Sequence, residues 1–488
     1  MTTPTTSQNN TSTPTAVPDA TIHVVSPVSG ELTAEVAVTS SSDLDAAIAN
    51  AALAQKEWMS LPPAVRSQKL WKWGELVDAH YEELAELDTS CTGKVLRESR
   101  NECLMASRNI RYWAGMADKI FGDQLADVPG RFSYTSREPL GVFGVILPWN
   151  GPTHSFIARC VPPLACGNAV VVKPSELSPL SAIRLVELAV AAGLPSGLLS
   201  AAIGNGAVGT ELVGHERVRG VSFTGSVATG RKVAELAAAT FKPVTLELGG
   251  KSPVLVFDDA DVEQAARAVL MTIYSNAGQI CAAGSRLLVQ STIADTFVAR
   301  LTELTHQLKV GDPRDESTHI GPVSCRRQYD RVMSLLEAAR KEGAQIAVGG
   351  GRPEGVDKGC FVAPTILTRV TPDMTVSKEE IFGPVLTVAE FEDETDAVTQ
   401  ANDNEYGLAA YVWTTDMGRM HRVTAHLDAG AVHGNTPLVM DASLPFGGFK
   451  HSGVGNAYGA DAIAGCTQTK RVTLRTTTEP LPNPWSFQ

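Results

Sequence analysis

Apolar residues recur at helical spacing from Ser42 to about Phe121, and the first of these helices opens on Ser42-x-x-Asp45, a capping signature ahead of Leu44, Ile48 and Leu53. From Gly141 the texture changes. Short β-rich runs alternate with helical ones: Val142–Leu147, Ala169–Val172, a helix over Pro179–Ala192 stopped by Gly193, Leu198–Ile203, Gly220–Phe223, and a helix over Gly225–Ala239. This alternation predicts parallel strands joined by crossover helices, an α/β sheet suited to a dinucleotide. A second alternating stretch runs from Ser252 to about Gly459, so the Gly249-Gly250 pair marks a boundary between two such domains.

Two glycine motifs compete for a phosphate. Gly204-Asn205-Gly206-Ala207-Val208-Gly209 satisfies G-x-G-x-x-G after a strand, yet the next strand ends in Ser222-Phe223 and offers no acid for a ribose. The better candidate is Phe223-Thr224-Gly225-Ser226-Val227-Ala228-Thr229-Gly230, where glycine and serine open a helix whose free N–H groups and dipole favour pyrophosphate. A plain serine cap with a packing glycine explains those residues equally well. Lys173-Pro174-Ser175-Glu176 follows a strand and therefore emerges at the carboxyl edge of the sheet.

Composition narrows the class. A chain of 488 residues with 43% hydrophobic content is long enough for two or three cores. The net charge of −12 argues against a nucleic-acid surface. The eight cysteines lie far apart with no C-x-x-C pair and no H-E-x-x-H, so neither a disulfide framework nor a metal site is signalled. Residues 1–20 are rich in Thr, Ser, Asn and Pro without a basic start or apolar core, which predicts a disordered tail and a cytoplasmic protein. No run of about eighteen apolar residues suggests a membrane span.

Thirty-four positions separate Glu247, in Val244-Thr245-Leu246-Glu247-Leu248-Gly249-Gly250-Lys251, from Cys281, in Asn276-Ala277-Gly278-Gln279-Ile280-Cys281. A thiolate and a carboxylate, each beside small residues that let a substrate approach, suit covalent catalysis in which cysteine attacks and glutamate activates water.

These two runs resemble the glutamate and cysteine signatures of the aldehyde dehydrogenase superfamily, and the resemblance extends over roughly residues 20–475. It implies an α/β fold of two doubly wound parallel domains plus a small β bridging element. The implied divisions are 21–119 with 140–249 for the dinucleotide, 250–464 for catalysis, and 120–139 with 465–488 for bridging and oligomerisation. It also implies oxidation of an aldehyde through a thiohemiacetal and a thioester on Cys281. Asn150 would hold the oxyanion together with the Cys281 N–H, and Glu247 would activate the hydrolytic water.

The same resemblance assigns pyrophosphate to Gly225 and Ser226, the adenosine ribose to Lys173 and Glu176, and the nicotinamide side to Glu380 and Phe382. Ile146, Trp149, Ser175, Gly206, Leu248 and Gly249 complete the implied cofactor set. A carboxylate at Glu176 repels a 2′-phosphate, so NAD is expected, with NADP as the alternative. A homodimer or homotetramer is implied, and no metal.

The chain departs from the family at Asn456-Ala457, where Arg-Glu is usual, so a local ion pair is expected to be missing. Along the implied substrate tunnel Gly151, Ser155, Ala158 and Ser275 replace bulky residues, while Ile280, Leu438, Met440, Leu444 and Phe446 keep it apolar. A wide, apolar tunnel predicts a bulky aromatic, terpenoid or long-chain aldehyde. The aromatic cage for a quaternary ammonium is thin. Two alternatives stand beside this reading: a coenzyme-A-acylating enzyme, against which Glu247 argues, and a non-catalytic protein of the same fold.

Overall fold

The structure is a computed structural model that describes residues 21–126, 128–481 and 485. The tail expected over 1–20 lies outside the described residues, as do 482–484 and 486–488 of the terminal segment. After a hairpin of Thr21–Val25 and Leu32–Ala37, four helices form the first layer: Ser41–Ser60, Pro63–Ala79, Tyr81–Thr92 and Leu96–Met116. Their Trp58, Trp73 and Trp113 are wholly buried. The cap of the first helix is Ser40 rather than Ser42: its backbone is extended, and its Oγ accepts from the Asp43 N–H at 3.1 Å. Leu53 is 65% exposed. At about 100° per residue it falls opposite the buried Leu44–Ile48 stripe.

The first sheet has the order Gly453–Val454, Val244–Glu247, Val218–Thr224, Val142–Ile146, Ala169–Lys173, Leu199–Ala201. All pairings are parallel except the first, which is antiparallel. Strands buried on both faces need continuous apolar runs, and every residue of Ala169–Lys173 is buried. The winding reverses beside Val142–Ile146, the position at whose carboxyl ends open α/β sheets bind their ligands. Ile146 pairs with both Lys173 and Phe223, and Thr224 pairs with Glu247, so these ends share one edge.

The second sheet runs Gln345–Val348, Thr365–Thr368, Val385–Phe391, Arg286–Gln290, Pro253–Val256, Ala409–Trp413, Ala431–Gly434, with only Gln345–Val348 antiparallel. The chain leaves one sheet at Glu247 and enters the other at Pro253. One strand corrects the simple division: Gly453–Val454, inside the span expected to be wholly catalytic, returns to the first sheet beside Glu247. Arg131–Pro139 and Thr467–Arg475 form a separate antiparallel ribbon in register from Pro139↔Thr467 to Arg131↔Arg475. No helix among the described residues is long and apolar enough to cross a membrane.

Candidate active site

Three segments converge on Cys281. Val244–Glu247 ends on Glu247, and the turn after it is pinned by the returning segment. The Leu248 N–H donates to the Ser452 carbonyl (2.8 Å), and Ser452 Oγ donates to the Gly249 carbonyl (2.7 Å). A Cβ on Gly250 would lie 2.3 Å from the Cys281 carbonyl oxygen. Only glycine lets the glutamate turn lie this close to the cysteine loop.

That loop leaves the helix Val262–Tyr274 through the 3-10 turn Ser275–Gly278, where Asn276 (φ 49°), Ala277 (φ 52°) and Gly278 (φ 74°) are all left-handed. Two non-glycine residues in this region cost about 1–3 kcal/mol each. Hydrogen bonds hold them there: Asn276 Nδ2 donates to the Asn150 carbonyl (2.9 Å) and the Gln279 carbonyl (3.2 Å), and the Asn276 N–H donates to Glu98 Oε2 (2.8 Å). Asn150 Nδ2 in turn donates to the Gln279 carbonyl at 2.8 Å. The amide keeps a second N–H, and the Cys281 N–H has no acceptor among the described residues. Two unpartnered donors thus remain on this loop and on the asparagine bonded into it, the donor type that an oxyanion requires.

Burial pushes the Cys281 thiol up to about 12, and the charges of Glu247 and Glu380 add to the effect. An anion is disfavoured in a poorly solvated site beside carboxylates, so the sulfur must lose its proton in order to attack. Both Glu247 oxygens are buried without a hydrogen-bond partner among the described residues. Burial pushes this carboxyl up to about 8, opposed by Arg159, whose Nη1 lies 3.9 Å from Oε1. A carboxyl titrating near neutrality beside a thiol can accept protons during turnover.

Along the shared sheet edge, Lys173 Nζ donates to the Pro174 carbonyl (3.1 Å) and Glu176 Oε2 (3.2 Å). The Glu176 side chain is 41% exposed and can accept further bonds. Ser175 Oγ accepts from the Leu177 N–H, and Ser226 Oγ caps the helix Val227–Ala238 by accepting from the Thr229 N–H. The plain cap reading therefore holds for the Ser226 hydroxyl, while Thr224 Oγ1 is buried and has no partner among the described residues.

A Cβ on Gly225 would meet the Phe223 ring at 2.6 Å, and one on Gly249 would meet Glu380 Oε2 at 2.4 Å. Glu380 is no free surface charge: its Oε1 accepts from the Gly250 N–H (3.1 Å), and burial pushes it up to about 7. Leu248 is buried, and Trp149 meets Phe382 edge to face at 5.4 Å. The orphaned hydroxyl and the side-chain-free glycines along one edge fit a dinucleotide. Gly206 is different. It opens the helix Gly206–Gly214 after an Asn205 cap, and a Cβ there would touch nothing.

Of the expected tunnel residues, Ala158, Ile280, Leu438, Met440 and Phe446 share an apolar cluster with Cys281, and Ser275 starts the cysteine turn. Gly151 faces polar groups: a Cβ there would lie 3.4 Å from Glu102 Oε2, 3.7 Å from Ser155 Oγ and 3.8 Å from Lys94 Nζ. Lys94 is paired with Glu102 at 2.5 Å. The lining is therefore not uniformly apolar, a correction reinforced by Leu444, which is 54% exposed.

Tyr458 is buried edge to face with Phe446, and its hydroxyl shares a 2.7 Å hydrogen bond with His154 Nε2. Sequence reasoning missed Arg159, His154, Tyr458 and the Lys94–Glu102 pair. Arg159 carried a signal, being the one cation in the helix Pro152–Ala165, because a buried charge needs a partner. The Tyr458–His154 pairing had none, since its members are 304 positions apart.

The family model of the aldehyde dehydrogenase family matches residues 15–472. A betaine aldehyde dehydrogenase of Brucella anthropi is 42% identical over 92% of this chain and 93% of its own length; one from Cereibacter sphaeroides is 42% identical over 93% of each. Among solved structures, an NAD+ complex of aldehyde dehydrogenase from Bacillus cereus superposes with TM-score 0.92 at 37% identity, covering 94% of each chain. A betaine aldehyde dehydrogenase from Staphylococcus aureus in complex with NAD+ gives TM-score 0.93 at 37% identity, covering 96% of this chain and 94% of its own.

Proposed function

This chain belongs to the aldehyde dehydrogenase family, and from that premise we propose that it oxidises an aldehyde to its carboxylic acid by a hydrolytic route carried by Cys281, Glu247 and Asn150. The supporting observation is the convergence of the Glu247 turn, through Gly250, on the cysteine loop into which Asn150 is bonded. Cys281 Sγ attacks the carbonyl carbon as its proton passes to Glu247, and the oxygen takes up charge facing the Asn150 amide and the Cys281 N–H. A bound NAD would supply the hydride acceptor that conversion of the thiohemiacetal on Cys281 to a thioester requires. Once that first proton has passed to solvent, Glu247 takes a proton from the water that attacks the thioester, the C–S bond breaks, Cys281 Sγ regains a proton from Glu247, and the acid leaves.

Trp149, Lys173, Glu176, Gly225, Glu380 and Phe382 are proposed to hold the cofactor. The test follows NADH formation from an aldehyde by the wild type and by Cys281→Ala, with and without coenzyme A. Turnover without coenzyme A that vanishes in the variant supports the reading. Turnover surviving in Cys281→Ala overturns the nucleophile, and an absolute need for coenzyme A overturns the hydrolytic step.

For the substrate we infer a bulky aldehyde whose apolar body lies against Ile280, Leu438, Met440 and Phe446, with a polar margin at Lys94 and Glu102 near Gly151. A second reading, a small quaternary-ammonium aldehyde, draws on the names of the relatives and on the Glu102 carboxyl group. Specificity constants for a branched or aromatic aldehyde against betaine aldehyde decide between them. The ribbon of Arg131–Pro139 and Thr467–Arg475 is proposed as the pairing edge of a dimer or tetramer, to be checked by light scattering.

A further inference from the structure

We propose that Arg159 is a positioning residue for the proton transfers of Glu247, its guanidinium biasing that buried carboxyl toward the ionised form; this rests on the reading of Glu247 as the base. Arg159 stands on Pro152–Ala165 with its side chain 8% exposed, and Glu247 is 3% exposed. Arg159 Nη1 and both Glu247 oxygens lack any hydrogen-bond partner among the described residues, and the two groups stand 3.9 Å apart. No other acid among the described residues lies within ion-pair distance of Arg159.

The chain removes the obvious competitor. Arg159 shares a cavity with Ser222, Thr245, Asn456 and Ala457, and none of these carries a carboxylate. An acid there would divide the field of the guanidinium; without one, that field falls on Glu247 alone. Arg159 from its helix lowers the Glu247 carboxyl, which in turn raises Cys281 of the cysteine loop and Tyr458 of the carboxyl-terminal segment. Only Arg159 is a cation. Burial pushes this carboxyl up to about 8 even with Arg159 opposing it, and since an opposite charge within about 4–6 Å lowers a carboxyl pKa by roughly 1–3, loss of the cation would drive it further toward the neutral form.

The experiment records kcat and KM from about pH 6 to about 10 for wild type, Arg159→Met, Arg159→Lys, Ala457→Glu and Glu247→Gln, with NAD binding followed by tryptophan fluorescence. Removing the cation favours the protonated carboxyl, so Arg159→Met moves the lower limb of the kcat profile alkaline by about one pH unit or more, costing about tenfold at pH 7. Arg159→Lys restores most of the profile, and Ala457→Glu, which supplies a rival acid, also shifts it alkaline. If Arg159→Met does not fold, Lys and the Ala457 variant decide. An unmoved limb in variants that bind NAD overturns the proposal for Arg159. Full activity in Glu247→Gln would instead overturn the assignment of Glu247 on which it rests.

Discussion

Gly250 and Cys281 meet backbone to backbone: a single carbon added to residue 250 would stand 2.3 Å from the Cys281 carbonyl oxygen. The same residue donates its N–H to Glu380 Oε1 at 3.1 Å. One glycine thereby links the carboxylate turn, the cysteine loop and the glutamate proposed for the nicotinamide side.

Gly250→Ala must therefore displace the Cys281 loop or the Glu247 turn. A misplacement of about 1 Å costs on the order of 100-fold in rate, so kcat should fall by that order while NAD still binds. Steady-state kinetics with a fluorescence titration check this. A variant within about twofold of wild type would show that the loop absorbs the change.

Glu247→Gln removes the proposed base and should slow turnover by about two to four orders of magnitude. It also tests the titration. The folded carboxyl lies near 8, above its ordinary 4.5, so its contribution to stability is complete below 4.5 and is lost as pH rises through 8. Glutamine suffers no such loss, so the Tm of the variant should gain on the wild type between about pH 5 and about pH 8. Parallel Tm curves would show that Glu247 ionises normally.

Glu176 sets the cofactor prediction. Its exposed carboxylate, bonded to Lys173, opposes a 2′-phosphate, so NAD should give the higher specificity constant and Glu176→Ser should narrow or reverse the preference. Equal use of NAD and NADP by the wild type would remove Glu176 as the discriminator.

Gly151→Phe directs a ring toward Glu102, Ser155 and Lys94. If the bulky aldehyde occupies this space, the variant should lose about tenfold or more in kcat/KM for it, the worth of roughly two buried methylenes, with acetaldehyde little changed. An unaltered ranking of substrates would mean that the space near Gly151 is not part of the tunnel.

Much of the fold was local in origin. The short β-branched run at Ala169–Val172 forms a strand buried on both faces, Gly193 at φ 89° ends the helix Leu180–Ala191, and alternating runs of this kind build a parallel sheet. The glutamate and cysteine runs carried the family in the same way, because glycine spacing around a nucleophile is itself a chemical constraint.

What tertiary structure decided are relationships between segments far apart in sequence. Gly453–Val454 returns beside Glu247, Tyr458 meets His154, Gly151 comes to lie against the Lys94–Glu102 pair, and Arg159 is left with Glu247 as its only acid among the described residues. Periodicity and propensity act over a few neighbours, whereas these contacts depend on how whole helices and sheets pack. Even the cap at Ser40 rather than Ser42 turned on the backbone adopted before the helix, which two serines of equal propensity do not settle. The sequence determined which chemical groups were available, and packing determined the burial and charge that set their ionisation, because desolvation depends on every atom that surrounds them.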